Sequence, residues 1–328
     1  MNLQAIFTQV KKTFSQLDCT GGGVIINKHG QTVLEQYVGV QGQQQGAKRV
    51  GPHTLFHLAS VRKTYVGFAV AYAIYHNYIA SIDDKLSDYL DNEIAFADVS
   101  IRHLLTHTHG LRRQNEKIMK EFKAGYNWAY RDINVELLAK VIFKATGKTI
   151  AKIVEEQVFQ LLSFTETNWF SERNEQHIEV IHNDNPFWYE SDVCDGSKMN
   201  MYSTLRELAK WGQVHLDKGS LHGKQIIPEE IIQLLTTIQS PNAKPKNLPT
   251  NGFFWFVQPQ QREGVTELSP ILPQESFQLL GFTSVALLVI PKEKIVAVRG
   301  FNSFGSPAGF DYIKDIHDFG STVYQSFL

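Results

Sequence analysis

Apolar positions along the chain change period more than once. Near the N-terminus Leu3, Ile6, Phe7, Val10, Phe14 and Leu17 recur at helical spacing, which predicts an amphipathic helix packed on the body. Thr20-Gly21-Gly22-Gly23 then reads as a helix stop. The stretch VIINKHGQTVLEQYVG predicts two strands around the turn Lys28-His29-Gly30. Residues 41–54, rich in Gln and Gly, read as a loop. From Ser60 to about Ala80, small and apolar residues such as Gly67, Ala69, Val70, Ala71, Ala73 and Ile74 occupy most faces, the pattern of a buried helix, and Asp83-Asp84 breaks it.

Helical patterns dominate from there to about residue 218. Ser100 is placed to cap Ile101–His107, with Gly110 ending that segment. Val135, Leu138, Ile142 and Ala145 line one face of the next helix, and Gly147 closes it. Thr149 caps another that runs to about Leu162. Thr204-Leu205-Arg206-Glu207 is a capping box that opens a helix through Leu216, and Pro228-Glu229-Glu230 reads as a first turn. Strand patterns return after residue 250, at Phe253–Val257, Ser276–Leu280, Thr283–Ile290 and, beyond a turn at Pro291-Lys292-Glu293-Lys294, Ile295–Arg299. Phe310, Ile313, Ile316, Val323 and Phe327 predict a closing helix. Strands, a long helical insertion and strands again predict an α/β (α+β) fold. Its antiparallel sheet is flanked by the N- and C-terminal helices. We expect a discontinuous sheet domain of residues 1–65 and 219–328, an inserted helical domain of residues 66–218, and an active site between them.

Composition narrows the function. At 328 residues the chain is long enough for about two domains. With 43% hydrophobic and 20% charged residues it is globular rather than disordered. Lys plus Arg (32) and Asp plus Glu (33) nearly cancel, so no sequence-wide basic field exists to hold nucleic acid or an anionic membrane. The longest apolar stretch, Val66–Ile74, is far short of a membrane span. The first residues lack the apolar core and cleavage site of a secretory signal, so a soluble, cytoplasmic protein is expected. Cys19 and Cys194 allow at most one disulfide and no zinc cage.

The informative chemistry is Ser60-Val61-Arg62-Lys63 at the head of the buried helix. A spacing of three puts Ser60 Oγ and the Lys63 amine on one face. Ser60 also sits at the positive end of the helix, beside free amide groups. A serine hydroxyl needs a neighbouring base to attack an acyl carbon, and a buried lysine of lowered pKa can serve. The motif alone reads more readily as a capped helix followed by a surface lysine.

Ordered blocks around it carry more weight. LFHLASVRKTYVG, then Ile82-Asp83-Asp84-Lys85-Leu86, then SIRHLLTHTHGL, then Ala129-Tyr130-Arg131-Asp132 with ELLAKVIFKATGK, then MYSTLRELAKWGQVHLDKGSLHGKQII, and SFQLLGFTSVALLVIPKEKIVAVRG follow one another over most of residues 20–305. In that order they resemble the serine β-lactamase and penicillin-binding-protein superfamily. The likeness is to its class C-like branch of esterases, amide hydrolases and D-alanyl peptidases. The resemblance implies a β-lactamase/transpeptidase-like fold and a hydrolase working through an acyl-enzyme, with no metal or organic cofactor. Its substrate would be a small ester, amide or β-lactam-like molecule. It makes Ser60 the nucleophile, Lys63 the base and Tyr130 the assistant in proton transfer. The backbone N–H groups of Ser60 and Phe282 would form the oxyanion hole, and Gly281 would let substrate lie along the strand.

Two positions depart from the pattern. Asp132 stands where the family's Tyr-x-Asn block has Asn, and could hold Lys63 in an ion pair or position a water. Leu279-Leu280-Gly281 stands where the family has Lys-Thr-Gly or His-x-Gly, so Leu279 brings no cation to meet a substrate carboxylate. That favours an uncharged ester or linear amide. A D-alanyl carboxypeptidase or β-lactamase, and a weakly active or inactive ligand-binding relative, remain alternatives.

Other residues suggest chemistry less strongly. His103, His107 and His109 could share a metal but lack the glutamate of a zinc-protease motif, and read as structural histidines near a helix end. Cys194 lies between acidic residues that raise a thiol pKa. Trp188, Tyr189, Phe253, Phe254 and Trp255 fit a pocket or a core equally well.

Overall fold

In the computed structural model, residues 1–91, 94–115, 117–261, 263–264 and 266–328 are described. The chain opens with α1 (Leu3–Gln16), then β1 (Gly21–Lys28), β2 (Gln31–Gly39) and the two-residue β3 (Phe56–His57). A 3-10 turn (Ala59–Arg62) leads into α2 (Lys63–Tyr75). Next come α3 (Ile101–Leu105), a hairpin of β4 (Leu111–Gln114) and β5 (Lys117–Lys120), and α4 (Ile133–Thr146). α5 (Ile150–Val154) passes through a π turn into α6 (Gln160–Leu162). β6 (Asn168–Trp169), β7 (Met201–Ser203) and α7 (Leu205–Leu216) follow, then β8 (Ser220–Leu221), β9 (Lys224–Gln225) and α8 (Glu229–Thr236). The sheet resumes with β10 (Phe256–Val257), β11 (Phe277–Leu280), β12 (Ala286–Ile290) and β13 (Ile295–Phe301), and α9 (Tyr312–Gln325) closes the chain.

The main sheet is antiparallel with strand order β10-β11-β12-β13-β1-β2. Its central strands are apolar on both faces because helices cover both. On one face α7 lies so close that a Cβ at Gly212 would meet Val296 and Leu287. On the other, α1 and α9 pack together, tied through Asp315: Thr13 Oγ1 donates to Asp315 Oδ1 at 2.5 Å and Arg299 Nη2 to Asp315 Oδ2 at 2.5 Å. α2 runs through the centre of the helical part with almost every side chain buried, contacting α4, α5 and α8. Trp211 of α7 donates from Nε1 to Thr64 Oγ1 at 3.0 Å, so even this deep indole nitrogen is satisfied, a bond worth about 1 kcal/mol.

Several expectations need correction. α1 ends at Gln16 and the strand already starts at Gly21, so the glycines belong to β1 rather than to a helix stop. Phe253–Val257 is a strand only at its last two residues. Phe254 has φ +67°, and the amides of Phe253 and Phe254 go to Leu235 O and Leu105 O instead of a sheet neighbour. The segment is thereby buried against the helices, and Phe253, Phe254 and Trp255 are core. The third long strand begins at Ala286, because 281–285 is a turn closed by Gly281 N–H to Val285 O at 2.7 Å. The hairpin β4–β5 lies within a stretch whose pattern read as helical. Thr204 caps α7 and Gly147 ends α4 in the left-handed region at φ +70°, as the pattern predicts. Among the described residues no helix is long and apolar enough to cross a membrane.

Candidate active site

Ser60 lies in the 3-10 turn, and Lys63 is the first residue of α2. The buried helix was expected to start at Ser60 itself. A 3-10 turn has three residues per turn, so residues i and i+3 eclipse, and the serine and lysine still share a face. Ala59, immediately before the serine, is held at φ +45°, a left-handed conformation that is unfavourable for a residue with a Cβ. Surrounding contacts impose it. Ala59 N–H donates to His57 Nδ1 at 3.2 Å, and Thr283 Oγ1 donates to His57 O at 2.6 Å. A Cβ at Gly281 would stand 2.5 Å from Leu58 O, so only glycine lets the end of β11 abut the serine turn. Phe282 sits between these two anchors. Neither its N–H nor that of Ser60 has a backbone partner among the described residues.

Lys63 is 0% exposed, and its hydrogen bonds go to two groups from the start of α4 and the loop before it. Nζ donates to Tyr130 Oη at 2.6 Å and to Asp132 Oδ1 at 2.5 Å, and lies 4.0 Å from the tyrosine ring centre. Asp132 occupies the N-cap position of α4, where a carboxylate ordinarily takes helix amides. Here it makes no cap bond and turns to Lys63. The Lys63 ammonium, more than any other neighbour, holds the Asp132 carboxyl well below the usual carboxylate range, against the effect of its partial burial. The Asp132 side chain is 64% exposed, so the cation is buried while its counter-charge faces the opening.

His107 belongs to this site, although its sequence context suggested only a structural histidine. Its ring stacks on Tyr130 with centroids 4.4 Å apart. Its Nδ1 lies 3.2 Å from the Asn134 amide nitrogen, which also donates to Leu104 O at 3.1 Å. Burial, reinforced by Lys63, pushes the His107 pKa well below its ordinary value, so the ring is neutral. His103 and His109 go elsewhere. The His103 ring accepts from Ser100 N–H, and His109 Nδ1 accepts from Leu111 N–H at 2.9 Å. The alternating spacing of these histidines carried no sign of which one would meet Tyr130.

The strand residues expected to meet substrate are covered. Leu279 is 0% exposed and Gly281 is buried, so the glycine's small size serves contact with Leu58 and Ala59. The exposed residue at this end is Phe282, at 47%, packed edge-on against Phe304. Phe304 in turn meets Trp188, which lines a cavity of about 370 Å³ with His57, Tyr202 and the Arg173–Glu190 ion pair. Of the two cysteines, both free, burial pushes Cys19 up to about 12, and burial followed by Asp192 and Asp195 raises Cys194.

A serine beside two amides without backbone partners, a lysine one turn on, and a tyrosine on that lysine are the groups that nucleophilic acyl transfer calls for. Set at the end of an antiparallel sheet against a buried helix, this arrangement defines the class of serine β-lactamases and penicillin-binding proteins. The chain belongs to the β-lactamase family, whose family model matches residues 3–318. It is 48% identical over 328 residues to an uncharacterized protein of Alkalihalophilus pseudofirmus, covering 99% of this chain and 96% of the other. Its fold is similar to that of the D-alanine carboxypeptidase AmpC from Burkholderia cenocepacia, with a TM-score of 0.77, 16% identity and 98% of each chain covered. It is also similar in fold to EstCE1, a hydrolase with promiscuous acyltransferase activity, with a TM-score of 0.74, 16% identity and coverage of 97% and 98%. Family and neighbours together group the chain with hydrolases.

Proposed function

We propose that this chain is a serine hydrolase that cleaves a small ester or linear amide through an acyl-enzyme. The observation that carries the reading is the 2.6 Å bond from Lys63 Nζ to Tyr130 Oη one turn from Ser60. In the first step Ser60 Oγ bonds to the acyl carbon, and its proton enters the Lys63–Tyr130 pair. No net proton need be stored there, because Tyr130 Oη can take the serine proton as it hands its own to the leaving group, with the Lys63 ammonium beside it. The carbonyl oxygen becomes an oxyanion facing the N–H groups of Ser60 and Phe282. When the tetrahedral species collapses, the bond to the leaving group breaks and that group takes a proton from Tyr130. Water then repeats the sequence on the ester of Ser60, returning the serine proton from the same pair.

The apolar, buried Leu279 supports an uncharged substrate over a carboxylate-bearing peptide or β-lactam. The Lys63–Asp132 ion pair supports a second reading, a ligand-binding relative with weak or no turnover, because it holds the lysine as a cation. Intact-mass measurement after treatment with a fluorophosphonate probe separates the two. A single adduct on the wild type, absent from Ser60→Ala, is the expected result. A folded wild type with no adduct would favour the binder.

A further inference from the structure

The cavity that His57 and Trp188 line takes no part in the hydrolytic scheme. Its volume, about 370 Å³, lies within the range of small-molecule sites. Besides His57, its walls come from residues 170–173, residues 188–191, and Asn200 and Tyr202. Asn200 fastens the first two stretches together. Its buried Nδ2 donates to Phe170 O at 2.9 Å and to Ser191 O at 3.0 Å, so the walls are held before any ligand arrives. Aromatic rings form the apolar side. The Tyr202 ring meets His57 and Phe170 edge-on, with centroids 4.9 and 6.2 Å apart.

The polar side carries a guanidinium and a phenol. Arg173 lies over the Trp188 ring, 5.8 Å from its centre, and its Nη2 donates to Glu190 Oε1 at 2.5 Å. Tyr202 is 4% exposed, and burial raises its phenol pKa, so the hydroxyl keeps its proton and can donate it. Glu190 shows that a carboxylate fits against Arg173, and it is replaceable. Its side chain is 70% exposed, against 38% for Arg173, and an exposed ion pair contributes no more than about 1 kcal/mol. It meets Arg173 at one nitrogen, whereas the guanidinium fork suits both oxygens of a carboxylate.

We propose that this cavity binds a small aromatic carboxylate. The carboxylate takes Arg173 in place of Glu190 and accepts from Tyr202 Oη, while the ring lies against Phe170 and Trp188. Exchanging one carboxylate for another leaves the charge on Arg173 balanced. Glu172, also in the lining, is exposed and screened by water, so the less exposed Arg173 and Tyr202 set the preference for an anion. The site adjoins the serine turn, because His57 Nδ1 accepts from the N–H of Ala59, directly before Ser60. Ser60, Lys63 and Tyr130 are not among its lining residues. Binding there goes beyond the hydrolytic reading and does not depend on it.

The test titrates the intact chain with phenylacetate and with phenethylammonium, followed by ligand-observed NMR. Phenylacetate is expected to bind wild type and Ser60→Ala equally, and phenethylammonium to bind neither. Arg173→Gln should weaken phenylacetate binding by about tenfold or more. Glu190→Gln removes the internal competitor and should strengthen it by about threefold. A thermal melt confirms that each variant is folded. Phenylacetate binding that survives Arg173→Gln would overturn the site, as would binding unchanged or weakened by Glu190→Gln. Preferential binding of phenethylammonium, lost in Glu172→Gln, would overturn it in favour of an organic cation. Loss of binding in Ser60→Ala would also overturn it, by placing the ligand at the serine. If the expected pattern appears in a chain whose Ser60 takes no fluorophosphonate label, this site stands and the hydrolytic reading falls.

Discussion

Two ion pairs in this molecule have the same length and opposite settings. Arg299 and Asp315 meet at 2.5 Å with side chains only 2% and 6% exposed. Asp315 also accepts from Thr13, so this pair joins β13, α9 and α1 and is closed off from water. Lys63 and Asp132 also meet at 2.5 Å, but the lysine is 0% exposed and the aspartate 64%. A closed pair holds its charges in one arrangement and acts as a strut. A pair open on one side keeps its cation buried while its anion stays within reach of solvent and ligand. Distance therefore does not distinguish a structural from a reactive pair; the exposure of the partner does.

Breaking each pair should give different losses. Lys63→Met leaves Asp132 in contact with water, so stability should change by no more than about 1 kcal/mol, while turnover of a p-nitrophenyl ester falls on the order of a thousandfold. Arg299→Met leaves Asp315 buried without its cation and should destabilise the chain by about 3–5 kcal/mol, with activity per folded molecule retained. Urea unfolding and active-site titration of both variants check this. If Lys63→Met were the less stable of the two, the contrast would be lost.

The acid limit sharpens the comparison. Burial lowers the pKa of His57 and His109 to about 3, and of His103, His177 and His215 to about 4. His107 is lowered well below its ordinary value for the same reason. The folded protein keeps these rings neutral, whereas the unfolded chain takes up protons near pH 6.5. Their stabilisation is present above that pH and is lost progressively as pH falls toward 4 and below. The Asp132 carboxyl, held low by Lys63, stays ionised through that window, so its contribution is lost only below about pH 4. Thermal melts should therefore show a steep fall in Tm between pH 6.5 and 4 that is unchanged in Asp132→Asn.

The smallest effect is expected on the reactive pair itself. Asp132→Asn keeps a group that can hydrogen-bond Lys63 but removes the charge. The low-pH limb of kcat/KM should move to lower pH by about one unit, because the proton-accepting group no longer faces a fixed anion. A pH–rate profile that does not move would mean that Asp132 only positions the lysine.

Much of the fold is legible in the pattern of residues. α1, the β1–β2 hairpin, α7 with its cap at Thr204 and α9 follow from period and capping, because each depends on neighbours within one or two turns. The segment around Phe254 is not legible, since its aromatic, strand-like composition is overridden by amide bonds to Leu235 and Leu105 far away in the chain. The site divides in the same way. Ser60 and Lys63 are three residues apart, so local geometry alone pairs them. His107 and Tyr130 are brought together only because α3 and α4 pack side by side, and nothing in the histidine spacing distinguishes His107 from His103 or His109.

The sequence by itself determined the broad order of strands, helical insertion and strands and the serine–lysine spacing, which are properties of short segments, while the tyrosine block and the absence of a cation at Leu279 were read from the family resemblance. Only the tertiary structure decided that Lys63 is wholly buried, that Asp132 pairs with it while facing solvent, and that Gly281 has no room for a side chain beside Leu58. Burial and electrostatic reach depend on which distant segments surround a group, and those neighbours exist only once the chain has folded.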